Sequence, residues 1–478
     1  MRLVLPIAVA AVAFAACGTE DTHRIPPLET FYFPTAVAHA DKADPGSFGT
    51  LYVASSDFDK RYDFGAVTAV DLDAIDWSSA TGEKKTISDL KLTEAQRVLT
   101  SPFAGLAAAW CPPTGSVRLI LPTRAEFDRL FAVDADGTAL SCANSQELPF
   151  GDQTVVDCTP GGVSLTQPGL DAPTEPTAAG FAAGKPRAPA PFAAAVSQDD
   201  GAVFVTHLTP ADSPANSSDR LESFVVTGNA DEPETIGDTA SDFISIGTLP
   251  SAGVAVGRRY AYVTGRSPEA PFTATIPPAL RMVDRQSPSP RRLEVNLETS
   301  FRAFDARGIA LFPEGPGAIE TRAFMLVRGP DALLVLSIEE AQSDFPRVSL
   351  VRAVLLPSDP TSVVLVPRGA DRGALVAIAC TGADALALYD DETGQLASVI
   401  TDVGRQPFGI AVDARPSAVP GEPGGARLYV SNFEDSTVGV VEIPNVNRPS
   451  EAKLVATLGR NLVCFTQPDS VACDEETR

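Results

Sequence analysis

The chain has 478 residues, 44% of them hydrophobic, with 36 glycines and 41 prolines, which suits a large core broken by many turns. Its 37 basic residues against 61 acidic ones leave a net charge of −24. That balance excludes nucleic acid and anionic lipid surfaces as main partners, because phosphate binding needs a basic footprint.

At the N-terminus, Arg2 precedes the apolar run Leu3–Ala16, too short to span a bilayer as a helix and the right length for the core of a signal peptide. Phe14-Ala15-Ala16-Cys17-Gly18 follows. Small residues before a cysteine resemble the bacterial lipobox, with Phe14 in place of the usual Leu. The resemblance implies a signal peptide over 1–16, lipidation of Cys17 and membrane attachment through that lipid. Gly18, rather than Asp, implies sorting to the outer membrane of the cell envelope. Residues 17–30 then read as a linker.

From Phe33 onward one phrase recurs seven times. It opens with a short apolar alternation, often led by Pro-Phe: "FPTAVAHA", "PFAGLAAAW", "PFAAAVSQDDG", "SAGVAVGRR", "ARGIALFPEG", "PTSVVLVPRG" and "PFGIAVDARP". A second apolar strand ends on a small or polar residue: "LYVASS", "RLILPTR", "VFVTHL", "AYVTGR", "FMLVRG", "LVAIACTG" and "LYVSN". A third run follows, from "AVTAVDLD" in the first copy to "VGVVEIP" in the last, and a weaker outer strand such as "ETIGDTASDFISIG" or "AKLVATLG" closes some units. Period-2 alternation with Gly, Asp and Pro punctuation favours strand over helix. The one helical candidate is "LTEAQRVL", Leu92–Leu99, with Thr93 as its cap. Insertions at Thr166–Ala190 and Pro268–Pro277 lengthen the earlier copies.

A four-stranded sheet buries neither face alone, so the copies must stack. Arranged radially they make an all-β, seven-bladed β-propeller of four-stranded antiparallel blades over 31–460, with long loop insertions and a tail at 461–478. "PFGIAVD", "LYVSN" and "TVGVVEI", with the literal "YVTG" at Tyr262–Gly265, resemble the YVTN-type β-propeller repeats of bacterial surface proteins.

Without Cys17, six cysteines remain, an even number that suits disulfides in an exported chain. Cys142 and Cys158 bracket one polar loop and Cys464 and Cys473 another, so each pair is expected to bond locally. Cys111 and Cys380 fall in apolar strands and are expected to be buried thiols. No Cys/His spacing points to zinc or haem, and no cofactor is expected. Asp57, Asp59 and Asp63 in "DFDKRYD" lack the Gly and Glu placement of a calcium loop.

Residues that close the second strands should gather on one face of a propeller. They are Ser55, Asp57, Arg124, His207, Arg266, Arg328, Asp384, Asn432 and Asp435, of which Asp57, Arg124, His207, Arg266, Arg328 and Asn432 are the candidate ligand-binding set. His39 falls in the first inner strand, where a hydrogen-bonded structural histidine is expected. No nucleophile-elbow, metalloprotease, phosphate-loop or dinucleotide motif appears, so no catalytic residue is assigned. The expectation is a lipid-anchored, non-enzymatic binding or scaffold module for a protein, glycan or small molecule. The alternatives are a hydrolase like the propeller lactonases, drawing on Arg124, His207, Arg266 and Arg328 at the channel mouth, and an envelope accessory to a quinone- or metal-dependent oxidase.

Overall fold

The computed structural model describes residues 24–461 apart from 29, 43–46, 78–84, 112–115, 125–127, 151–152, 166–189, 209–210, 213–220, 240–241, 248–249, 266–278, 288–291, 296, 298–304, 370–371 and 416–422. The expected signal peptide, Cys17, Arg266, Cys464 and Cys473 lie outside the described residues.

Seven sheets stand in a ring as a seven-bladed β-propeller. From the axis outward, blade 1 is Pro34–Ala40, Thr50–Ser55, Gly65–Asp71 and Arg97–Thr100. Blade 2 is Ala108–Trp110, Val117–Arg124, Asp128–Asp136 and Val163–Ser164; blade 3 is Pro191–Val196, Ala202–His207, Leu221–Asn229 and Phe243–Gly247. Blade 4 is Ser251–Val256, Tyr260–Gly265, Ala279–Asp284 and Arg292–Val295; blade 5 is Asp305–Phe312, Arg322–Arg328, Ala332–Glu339 and Arg347–Leu355. Blade 6 is Pro360–Val366, Leu375–Cys380, Ala385–Asp390 and Gln395–Thr401; blade 7 is Pro407–Arg415, Gly425–Asn432, Thr437–Ile443 and Lys453–Leu458. The pairing of these four strands is antiparallel in every blade.

The core lies between blades. One apolar cluster fills each junction, including the last, where Tyr429, Val438 and Val440 of blade 7 meet Val37, Leu51 and Val53 of blade 1. On the other face of blade 7, Ile410, Leu428 and Val430 pack with Leu375, Ala377 and Leu386 of blade 6. Both faces of every blade are thus covered, which is why second strands such as Leu375–Cys380 read as unbroken apolar runs and are buried throughout.

The recurring phrase has a local explanation. Inner strands begin with a bulge, seen at Pro34/Ala36, Pro191/Ala194, Ser251/Val254, Ala306/Ile309, Pro360/Ser362 and Pro407/Ile410. A small residue sits beside it because the next blade's backbone is in contact. A Cβ on Gly105 would lie 1.9 Å from the Phe192 carbonyl, on Gly253 2.4 Å from that of Arg307, and on Gly409 2.8 Å from that of Thr35. The hydroxyl near the end of the second strand clasps the same spot. Thr264 accepts the Gly253 amide at 2.8 Å and donates to Arg307 O of blade 5 at 2.6 Å; Thr206 accepts from Ala193 at 3.2 Å and donates to Ala252 O of blade 4 at 3.0 Å.

Two sequence expectations need correction. Leu92–Leu99 is no helix: only a three-residue 3-10 turn, Glu94–Gln96, forms under Thr93, and Arg97–Thr100 is the outer strand of blade 1, paired with Gly65–Thr68. Burial decides it, since Arg97, Val98, Leu99 and Thr100 are all sealed beneath the chain from Ile25 and a hairpin from blade 2. Cys111 is exposed rather than buried, because the inner strand of blade 2 ends at Trp110 and the chain leaves the sheet there. Cys380 is buried as expected.

Insertions brace the ring. Lys85–Ile87, from blade 1, adds a parallel fifth strand to the outer edge of blade 7. The hairpin Gln146–Phe150/Gln153–Asp157, from blade 2, extends blade 1 through Val156 and Asp157. Cys142 and Cys158 are bonded across the base of that hairpin, closing a loop of a size that stabilises by about 3 kcal/mol.

Candidate functional site

The two ends of the central channel differ in chemistry. At the end where inner strands begin and second strands finish, aromatic rings meet across the axis. Phe192 of blade 3 and Phe408 of blade 7 are 6.3 Å apart at their centroids although two blades separate them in the ring. Phe433 joins Phe408 at 6.2 Å and Phe33 at 5.1 Å, and Phe58 touches Phe33, Phe103 and Phe433. Arg124 lies over Phe192 and Lys60 over Phe103. These rings cap the channel. Phe103, Phe192 and Phe408 are marked in the sequence by the Pro-Phe opening of their repeats, whereas Phe58 and Phe433 simply follow second strands.

The residues picked from the sequence sit around this capped end, mostly as joints. Asp57 is fully buried, with φ +46, and accepts from the Tyr62 amide at 3.1 Å; burial pushes its carboxyl up to about 7. Asp59 pairs with Arg61 and Asp63 with Arg24, so the three aspartates of that loop face different partners. The buried His207 exchanges backbone hydrogen bonds with the Ser251 hydroxyl of blade 4. Arg328 reaches blade 6 at Pro360 O, 3.1 Å, and Thr361 Oγ1, 2.5 Å. Asn432, also buried, donates to Val403 O at 2.8 Å, Asp384 accepts from the Gln406 amide at 2.8 Å, and Asp435 from Arg405 at 2.7 Å. Ser55 closes its strand buried. None of these residues lines the channel cavity.

That cavity, about 430 Å³, opens at the opposite end, where inner strands finish, and all seven inner strands or their extensions line it. Its walls are small and apolar (Ala38, Ala108, Ala195, Val254, Val364, Ala411), and below it a narrower space of about 170 Å³ leads toward the axis between glycines, alanines and valines. Its polar rim is His39, Gln198, Asp199, Arg258, Glu314 and Glu320. Sequence reasoning took His39 as structural and did not single out the others, because they lie just past the ends of inner strands.

A loop of blade 5 crosses part of this mouth. Gly315 and Gly317 take φ +118 and +70, which shapes the turn. The Gly317 amide donates to Asp199 of blade 3 at 2.7 Å, and Arg258 of blade 4 donates to Gly317 O at 2.9 Å. Glu320 is buried and accepts from Tyr262 at 3.0 Å and the Arg258 amide at 3.2 Å. Glu314 differs: its carboxylate reaches into the cavity without a hydrogen-bond partner among the described residues. Solvent touches it there, yet the protein around it desolvates the charge and raises its pKa. The mouth can therefore hold a small molecule against alanine and valine walls while offering one solvent-exposed carboxylate with no protein partner among the described residues.

No family model matches the chain, and no curated protein matches it. Solved structures do. Hydrazine synthase of Kuenenia stuttgartiensis is similar at 12% identity over 86% of this chain and 95% of its own, with a TM-score of 0.50. Apo AztD of Citrobacter koseri shows 13% identity over 88% of each chain and a TM-score of 0.38; Sqt1 of Chaetomium thermophilum shows 12% identity over 90% of this chain and 87% of its own, with a TM-score of 0.46. At these identities the likeness concerns the fold alone.

Proposed function

We propose that this protein is a lipid-anchored, non-enzymatic β-propeller of the bacterial envelope, of the YVTN-repeat kind, that binds a small cationic or hydrogen-bond-donating molecule in the open mouth of its channel. The observation that carries the binding reading is Glu314, an unpaired carboxylate held over an apolar cavity built by all seven blades. A ligand with a positive or donating group would satisfy that carboxylate, and its apolar part would cover the alanine and valine wall. The bonded Cys142–Cys158 pair is in keeping with an oxidising compartment, and the Ala15-Ala16-Cys17-Gly18 pattern with a lipid anchor.

Thermal-shift and calorimetric titration of the detergent-solubilised protein with a panel of polyamines, amino sugars and polyols tests the reading. Binding by one class, lost in Glu314→Gln, is expected; a panel without a binder, or binding untouched by that change, refutes it. In cells, Cys17→Ser should move the protein from the membrane to the soluble fraction or leave it unprocessed.

A hydrolase reading draws on one observation, that His39, Arg258 and Glu314 share the mouth. His39 belongs to blade 1 while Arg258 and Glu314 come from blades 4 and 5, on the opposite arc, which is unfavourable for concerted proton transfer. Hydrolysis of a lactone panel, abolished by His39→Gln, would establish it instead.

A further inference from the structure

We propose that His39, Asp41 and Asp413 form a divalent-cation site at the rim of the channel mouth, on the junction that closes the ring, suited to a borderline ion with nitrogen and oxygen ligands. The proposal concerns the rim and stands independently of the Glu314 ligand and of the lipid anchor.

Strand periodicity sets up half of the site. His39 and Asp41 are two residues apart at the end of the inner strand of blade 1, so their side chains leave on the same face. Asp413 is near the end of the neighbouring inner strand of blade 7. One ligand atom from each lies within 4.8 Å of the others, and among the described residues this is the group of three that meets that condition. His39 Nδ1 and Asp41 Oδ1 are 3.6 Å apart, close to the roughly 3.4 Å edge expected of a tetrahedron with bonds of about 2.0–2.2 Å.

The surroundings orient the ligand atoms. His39 Nε2 lies 2.8 Å from the Phe48 carbonyl, which can only accept, so Nε2 carries a hydrogen and Nδ1, the atom turned toward Asp41, is the one left to ligate an ion. The loop carrying Phe48 comes this close because Gly49 has φ +76; a Cβ there would lie 2.3 Å from Ala40 O and 2.8 Å from His39 Nε2. Tyr429 stacks on the imidazole at 5.7 Å with an 18° tilt. Arg415 donates twice to Asp413 Oδ2, at 2.9 and 3.0 Å, and so fixes that carboxylate beside the cluster. His39 and Asp413 are nearly sealed, at 4% and 6% side-chain exposure, whereas Asp41 is open at 80% and gives an ion access.

Tyr429, whose ring stacks on His39, has a fully buried hydroxyl that makes no well-formed hydrogen bond and sits beside the Arg427 guanidinium in the field of Asp413 and Arg415.

Titration of the metal-stripped, detergent-solubilised full chain with Zn²⁺, followed by calorimetry, and with Co²⁺, followed by visible absorption, separates the two cations. One Zn²⁺ per chain is expected, with a Co²⁺ spectrum of tetrahedral intensity. Asp413→Asn and His39→Gln should weaken binding at least about tenfold. Asp41→Asn, at an exposed position that leaves folding intact, should do the same, while Glu314→Gln should leave it unchanged. No stoichiometric binding by the wild type, or binding by the Asp41→Asn and Asp413→Asn variants as tight as that of the wild type, overturns the proposal.

Discussion

The Thr264 hydroxyl donates to the Arg307 carbonyl at 2.6 Å across the junction of blades 4 and 5, while accepting the Gly253 amide of its own blade. One buried side chain thus satisfies a donor and an acceptor where two bulged inner strands meet. Thr264→Val keeps the shape and removes both bonds, so it should cost about 1–3 kcal/mol, read as a lowered melting temperature, with Thr264→Ser losing much less. Equal stability of the valine variant would show that the clasp is dispensable.

The glycines where one inner segment touches the backbone of the next blade should be equally intolerant. Gly105→Ala would place a methyl 1.9 Å from the Phe192 carbonyl, and backbone cannot swing aside as a side chain can. The expected loss is on the order of 2–3 kcal/mol, in the range of overpacked cores. Insoluble or low-melting protein from Gly105→Ala, beside a normal Ala108→Gly control in the inner strand that follows it, would check it.

Asp57 makes stability depend on pH in a direction opposite to most carboxylates. Its folded pKa, about 7, lies above the unfolded value of 3.8. The folded state therefore holds the proton more tightly, and the contribution is full below pH 3.8, declines as pH rises and is gone above about pH 7. Asp57→Asn keeps an acceptor for the Tyr62 amide and tolerates the φ of +46. The melting temperature of the variant minus that of the wild type should grow from pH 5 to pH 8. A difference that is flat or shrinks over that range would contradict the assignment.

Thiol chemistry should separate the cysteines. Iodoacetamide should label Cys111 in the native protein and Cys380 only after denaturation, where burial also pushes its thiol pKa up to about 12. Non-reducing peptide mapping should recover Cys142 joined to Cys158. Protection of native Cys111 would mean that the inner strand of blade 2 runs further than Trp110.

Much of this architecture is legible in the chain itself. Seven copies of one phrase demand seven like sheets, because a sheet apolar on both faces must be covered by its neighbours, and the period of two fixes which side chains meet which blade. Leu428 and Val430 pack toward blade 6 and Tyr429 toward blade 1 for that reason alone. Pro407, Asn432, Thr437–Ile443 and Lys453–Leu458 hold the places in blade 7 that the repeat assigns them. Local propensity misled at Leu92–Leu99, where burial under the N-terminal chain turned a helical pattern into an edge strand.

The site was decided elsewhere. Strand ends can be read from the repeat, but which end of the channel stays open depends on Phe192 and Phe408 meeting across the axis, a contact between blades that are not neighbours. The chain order of residues carries no record of such a meeting. Glu314 gains its place over the cavity from a loop pinned by Asp199 and Arg258 of two other blades. His39 and Asp413 come together only because the last blade packs against the first. Repetition in the sequence dictates the blades, since each buries its faces by the same local rule; ring closure brings the chemistry together, since it joins residues that no local rule relates.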